Sequence, residues 1–104
     1  MNKLELFRQG DVLMRRINSL PQKKAVKRAS GHILEGEATG HIHRVEDLAT
    51  AEVLEVGDGL YLRVGPEGAR IIHEEHNPIS LPPGDYEIVR QREYSPEAIR
   101  NVAD

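Results

Sequence analysis

Turn-forming residues interrupt this chain at short intervals, and that punctuation limits what it can become. Gly10-Asp11, Pro21, Gly31, Gly36, Gly40, Gly57-Asp58-Gly59, Gly65-Pro66-Glu67-Gly68 and Pro82-Pro83-Gly84-Asp85 all carry turn chemistry. The apolar runs between them have strand length. Asp11–Ile17, Ala51–Val56, Leu60–Val64, Ala69–His73 and Tyr86–Arg92 read as strands, the last by alternation of Tyr86, Ile88 and Arg90 against Glu87, Val89 and Gln91. The short Gly57-Asp58-Gly59 link predicts a hairpin between the second and third of these. In Pro82-Pro83-Gly84-Asp85, Pro83 suits the first corner of a turn and Gly84 the position that needs positive φ. Only the C-terminus signals a helix. Ser95 can cap it, Pro96 suits its first position, Glu97 suits its first turn, and Ala98, Ile99 and Val102 offer one short apolar face. Such a helix needs the sheet to dock on. The expectation is a mainly β chain, a small antiparallel barrel or sandwich with a short C-terminal helix, forming a single domain over residues 1–104.

Composition removes whole classes of function. The 104 residues contain no cysteine, so disulfides, thiolate zinc sites, iron–sulfur clusters and cysteine nucleophiles are excluded. No apolar run reaches the ~18 residues of a membrane span. The N-terminus shows no apolar signal-peptide core, so a cytoplasmic protein is expected. Charge is divided unevenly. Residues 1–31 hold eight Lys or Arg against two acids, and residues 32–104 hold six Arg against fifteen acids. The cluster Gln22–Arg28 would suit phosphates, but it has no aromatic residue to stack on bases. It reads as a solvated loop, and nucleic acid is not the expected partner.

The chemistry concentrates in histidine. Four of the five histidines fall in two pairs, His41 with His43 and His73 with His76. If His41–Val45 is a strand, period two puts both imidazoles on one face, roughly 6–7 Å apart at Cα, where they can share one metal ion. Ile42 would then face a core on the opposite side. Glu37 or Glu46 would add an oxygen ligand or a general base. His73 and His76, in His-Glu-Glu-His-Asn-Pro, would diverge on a strand and converge in a turn. Pro78 disfavours helix at Asn77, so this is not the helical zinc-protease motif. Neutral imidazole suits zinc, nickel, copper or iron, the expected cofactor is a divalent transition metal (zinc, nickel, manganese or iron), and three histidines plus a carboxylate would leave an open position for catalysis. The candidate metal ligands are therefore His41, His43, His73 and His76, with Glu37 or Glu74 as acid–base group. The competing reading gives the histidines only hydrogen bonds across a sheet, or a small-molecule ligand held without metal.

Two further groups are candidates for ligand binding. Thr39 lies near Gly36 and Gly40, and Thr39 and Gly40 would offer backbone amides to an anion. Arg90 and Arg92 share a strand face and would clamp a phosphate or carboxylate, or pair with the acids around them. No serine lies in a nucleophile elbow.

Two segments carry a resemblance. One is Gly-Glu-Ala-Thr-Gly-His-Ile-His, ending at His43. The other runs from His73 through His-Glu-Glu-His-Asn-Pro-Ile and Leu-Pro-Pro-Gly-Asp-Tyr to Gln-Arg-Glu-Tyr at Tyr94. With Arg8-Gln9-Gly10-Asp11-Val12-Leu13 they resemble a group of small, functionally uncharacterised bacterial and phage proteins. That resemblance covers most of the chain and implies no activity. Gly36–Glu46 also resembles the first motif of the cupins, in which His-x-His and a following Glu hold a metal inside a barrel. It implies His41, His43 and Glu46 as ligands. The sequence departs from it, because Gly36 precedes His41 by five positions instead of six and no histidine follows Gly84. His73 or His76 would have to replace that missing ligand. Gly10–Ile17 resembles one strand of the co-chaperonin barrel and nothing beyond it. The expected function is a histidine-rich site, metal-dependent and hydrolytic. The alternative is a non-catalytic binding or adaptor module, and behind both stands a nucleic-acid accessory protein. Small β domains with exposed edges often pair, so a homodimer is expected.

Overall fold

The computed structural model describes residues 5–35 and 41–90. These residues form ten strands and no helix: β1 (Leu6–Gln9), β2 (Val12–Ile17), β3 (Ala25–Lys27), β4 (His32–Glu35), β5 (Ile42–Val45), β6 (Ala51–Val56), β7 (Gly59–Val64), β8 (Ala69–Ile72), β9 (Ile79–Leu81) and β10 (Gly84–Arg90). The helix expected from Ser95 lies outside the described residues. Every pairing is antiparallel. One sheet has six strands in the order β1-β2-β10-β7-β6-β3, and the other has four in the order β4-β5-β8-β9.

Neither sheet closes on itself among the described residues, so the barrel alternative gives way to two open sheets sharing one core. Val12, Met14, Tyr86, Ile88, Leu62, Val64, Ala51 and Val53 face inward from the larger sheet, and Ile33, Val45, Ala69, Ile71 and Leu81 from the smaller. Tyr86 is fully buried and turns its hydroxyl to the Pro82 carbonyl at 2.6 Å. Phe7 meets its ring edge-on, with centroids 5.9 Å apart. Side chains tie the sheets together at both open corners. The Gln9 amide of β1 donates to the Ile71 carbonyl of β8 and to the Asn77 carbonyl, each at 2.9 Å. At the other corner the Arg28 guanidinium donates to the His32 and Ile33 carbonyls of β4.

Two hairpins depend on glycine. Gly57 (φ 60°) and Asp58 link β6 to β7 in a two-residue turn, with Val56 opposite Gly59. Gly10 (φ 61°) and Asp11 do the same between β1 and β2, with Gln9 opposite Val12. Gly84 also has positive φ, but it is the first residue of β10 and pairs with Val64. The basic segment is not simply a loop. Ala25–Lys27 pairs with β6 as a fully exposed edge strand. Lys27 lies 3.4 Å from Glu52, and Arg28 lies 2.6 Å from Glu55. A short, charged edge of this kind resists pairing with other chains.

The expected position of Ile42 on the core face is overturned. Along β5 the buried residues are His43 and Val45, while Ile42 is half-buried and Arg44 exposed. Val45 enters the core opposite Ile71, and period two then carries His43 inward with it.

Candidate functional site

The site forms where the core face of the sheets runs out. Arg44 pairs with Ile72 and Val45 with Ile71. The same antiparallel register, carried one residue further, sets His43 against His73. β8 ends at Ile72, so His73 leaves the ladder and the chain turns through Glu74 and Glu75 to His76. The two histidine pairs, thirty residues apart in sequence, therefore meet. Ring centroids are 4.3 Å apart for His43 and His73, 4.6 Å for His73 and His76, 5.6 Å for His41 and His73, and 6.1 Å for His43 and His76, the last pair stacked. His73 stands at the centre of the group.

His43 is the buried member, 1% exposed. Its Nδ1 lies 2.9 Å from Gln9 Oε1. Burial first, and then the neighbouring His73, lower its pKa to about 4, despite the opposing pull of Asp11. It is therefore neutral at pH 7. Its Nε2 lies 3.7 Å from Asp11 Oδ1, whose other oxygen accepts from Arg90 at 3.2 Å. Gly10 makes room for the fourth ring, since a Cβ there would stand 2.6 Å from His76 Nε2.

His73 is held differently. Its Nδ1 accepts backbone N–H groups from Glu75 at 3.0 Å and His76 at 3.2 Å. It thereby pins the turn that carries Glu74, Glu75 and His76. Burial and the adjoining His76 also lower its pKa. Glu74 Oε1 accepts the Ile42 N–H at 3.0 Å, and that bond holds its carboxyl below the usual range, hence ionised. Glu75 Oε2 lies 3.5 Å from His41 Nδ1.

His41, His73 and Glu74 each offer a ligand atom, and these atoms lie within 4.8 Å of one another. Donors around a tetrahedral zinc at about 2.0–2.1 Å stand roughly 3.3 Å apart, so the side chains must settle onto that spacing to hold an ion. The group can do so because Glu74 is exposed and His41 only half-buried. A small cavity lined by Ile42, Arg44, Ile72, His73 and Glu74 adjoins it. A wider groove, about 610 Å³, lies elsewhere, along Glu46, Asp47, Thr50, Arg70 and Pro82. It holds no histidine, so the donor chemistry, not the volume, marks the site.

The other sequence candidates divide. Glu46 pairs with Arg70 at 2.9 Å and stands apart from the histidine cluster. Arg90 is joined to Asp11 and reaches the cluster through that carboxylate. Glu37, Thr39, Gly40 and Arg92 lie outside the described residues. Gln9 and Asp11 were missed. Their signal was faint but present. Period two places Gln9 on the inward face with Phe7, and the Gly10-Asp11 turn immediately follows.

Comparison with known proteins then places the chain. A family model described as a domain of unknown function (DUF8820) matches residues 8–91, and the chain belongs to that family. The match spans the described cluster from Gln9 to Arg90. No curated protein and no solved structure shows significant similarity. Among the described residues no helix is long and apolar enough to cross a membrane.

Proposed function

We propose that this DUF8820 domain binds a divalent transition-metal ion in its histidine cluster and uses it for hydrolytic chemistry. The observation that carries the reading is the convergence of His41, His73 and Glu74, with their ligand atoms within 4.8 Å, beside the neutral imidazole of His43. Imidazole with carboxylate favours zinc, nickel, iron or manganese over calcium or magnesium. A bound ion with an open position lowers the pKa of a water molecule and polarises a carbonyl or phosphoryl oxygen. Glu74 is ionised and is suited to ligation or proton acceptance, not to acting as an acid. Asp11 and Glu75 supply further negative charge at the rim, which favours a cation. Glu46, a ligand that the cupin likeness implies, is engaged by Arg70 and has no part in this reading. A bacterial or phage source, a cytoplasmic location and a homodimer belong to the same reading.

The test is elemental analysis of tag-free protein, as isolated and after exposure to zinc, nickel, manganese and iron. Near-stoichiometric metal that is lost in a His41→Ala, His43→Ala double variant supports the reading and justifies hydrolase screens. Absence of metal under every loading condition refutes it. A second reading, a non-catalytic module for a small ligand or protein partner, is favoured by one observation. The His73 Nδ1 lone pair is already engaged by two backbone amides of its own turn. A metal at that atom would displace both.

A further inference from the structure

The two imidazoles nearest each other, His43 and His73, meet different partners at Nδ1, and at His43 that partner is Gln9. Gln9 is buried, and its side-chain nitrogen donates to two backbone carbonyls, Ile71 and Asn77, both at 2.9 Å. Carbonyl oxygens only accept, so both amide hydrogens are committed and the orientation of the amide is fixed. Its Oε1 must then be the atom facing His43 Nδ1 at 2.9 Å, and it too only accepts. Neutral His43 therefore carries its proton on Nδ1 and leaves Nε2 with a lone pair, turned to the side where Asp11 lies. At His73 the two amides that donate to Nδ1 favour the reverse, with the proton on Nε2, so that ring ligates an ion only by giving up those two bonds and changing tautomer.

We infer that Gln9 is a positioning residue that sets the His43 tautomer and leaves its Nε2 lone pair, on the Asp11 side of the ring, as the atom through which His43 would ligate. Its place in metal binding rests on the reading above; its control of the tautomer does not. The arrangement is the one by which outer partners orient metal-ligating histidines, fixing the ring and freeing the opposite nitrogen. It also explains a polar side chain at a core position of β1. A leucine there would fill the space, but it would satisfy none of the three groups that Gln9 joins.

Long-range proton–nitrogen correlation spectra of metal-free protein at pH 7.5 read the tautomer directly. The expected result is a protonated Nδ1 and an unprotonated Nε2 at His43, with His73 reversed. Zinc added to the parent should shift the His43 Nε2 resonance first. Gln9→Met should remove the tautomer bias and weaken zinc binding roughly 10–100-fold, with backbone spectra confirming the fold. A proton on His43 Nε2 in the parent overturns the inference. So does a folded Gln9→Met variant with unchanged tautomer and affinity. If Gln9→Met does not fold, the parent's own spectrum still decides. If the parent shows the expected tautomer but takes up no metal, the metal reading fails and the Gln9–His43 relation stands.

Discussion

Acidifying the metal-free protein should destabilise it well before its carboxylates protonate, and His43 should account for most of that loss. An unfolded histidine has a pKa near 6.5, whereas buried His43 titrates at about 4. As pH falls, the unfolded chain takes up this proton first, so unfolding becomes progressively more favourable. The stability contributed by neutral His43 is complete above about pH 7, declines through the window from 6.5 to 4, and levels off below it. The linkage relation applied to these two pKa values gives a loss of about 2 kcal/mol between pH 7.5 and pH 5.0, and about 3 kcal/mol over the whole window. For a domain of this size the first figure corresponds to a fall in Tm of roughly 10 °C.

Urea unfolding in the presence of chelator, at intervals from pH 7.5 to 4.5, measures this for the parent and for His43→Asn. Asparagine places an amide donor near the position of Nδ1, facing Gln9 Oε1, and cannot titrate. The variant should be less stable at pH 7.5 because it leaves space in the core, but its stability should change much less with pH. A residual slope is expected, because the His73 pKa is lowered too and acts with the same sign. Equal slopes for parent and variant would refute the assignment, as would a His43 pKa of 6 or above by NMR titration.

Three further outcomes test the surrounding structure. Tyr86→Phe should cost about 1 kcal/mol in urea unfolding, since it removes only the bond to the Pro82 carbonyl, whereas Tyr86→Ala should cost about 3–5 kcal/mol through the cavity it opens. Gly10→Ala and Gly57→Ala both force a side chain into left-handed backbone, at about 1 kcal/mol or more each. Only Gly10→Ala also drives a Cβ into the His76 ring, so it alone should shift the His76 resonances, and it should be the more destabilising of the pair. Arg28→Met should cost about 1–2 kcal/mol, because it breaks the link from β3 to the β4 carbonyls along with the ion pair to Glu55. Lys24→Met, on the exposed side of the same segment, should stay within about 0.5 kcal/mol.

The strands that can be read from sequence are those whose own residues decide them. β2, β6, β7, β8 and β10 have apolar alternation or apolar runs bounded by turn residues, and each emerges within a residue or two of its expected start. β1, β3, β4 and β9, three or four residues apiece, show no pattern of their own and form because a neighbour supplies the ladder. Ala25–Lys27 shows this most plainly, since its side chains are all exposed and only pairing with Leu54–Val56 makes it a strand. The same distinction governs the site. Two histidines at i and i+2 can be placed on one face from the sequence alone. Whether that face meets His73 depends on the register between β5 and β8, which is set by Val45 and Ile71 packing in the core. The misplacement of Ile42 has this origin. Ile42 is the more apolar residue, but its neighbour two positions beyond His43 is Val45, and the strand can bury only one parity.

That choice of parity gives the histidines their chemistry. Had Ile42 faced inward, His43 would have stood in water with the pKa of an ordinary histidine, free to take either tautomer. Burial beside Val45 instead makes the charged form of His43 unfavourable by several kcal/mol. Gln9 then removes the remaining freedom of the neutral ring. The group so produced is an imidazole that is neutral at pH 7, with one nitrogen donating and the other open. An adjacent ring, His73, has its Nδ1 spent on the turn that brings His76 and the two glutamates alongside. One histidine holds the frame while the other is left available, and the acid sensitivity expected of the fold comes from the same burial that keeps His43 ready to ligate.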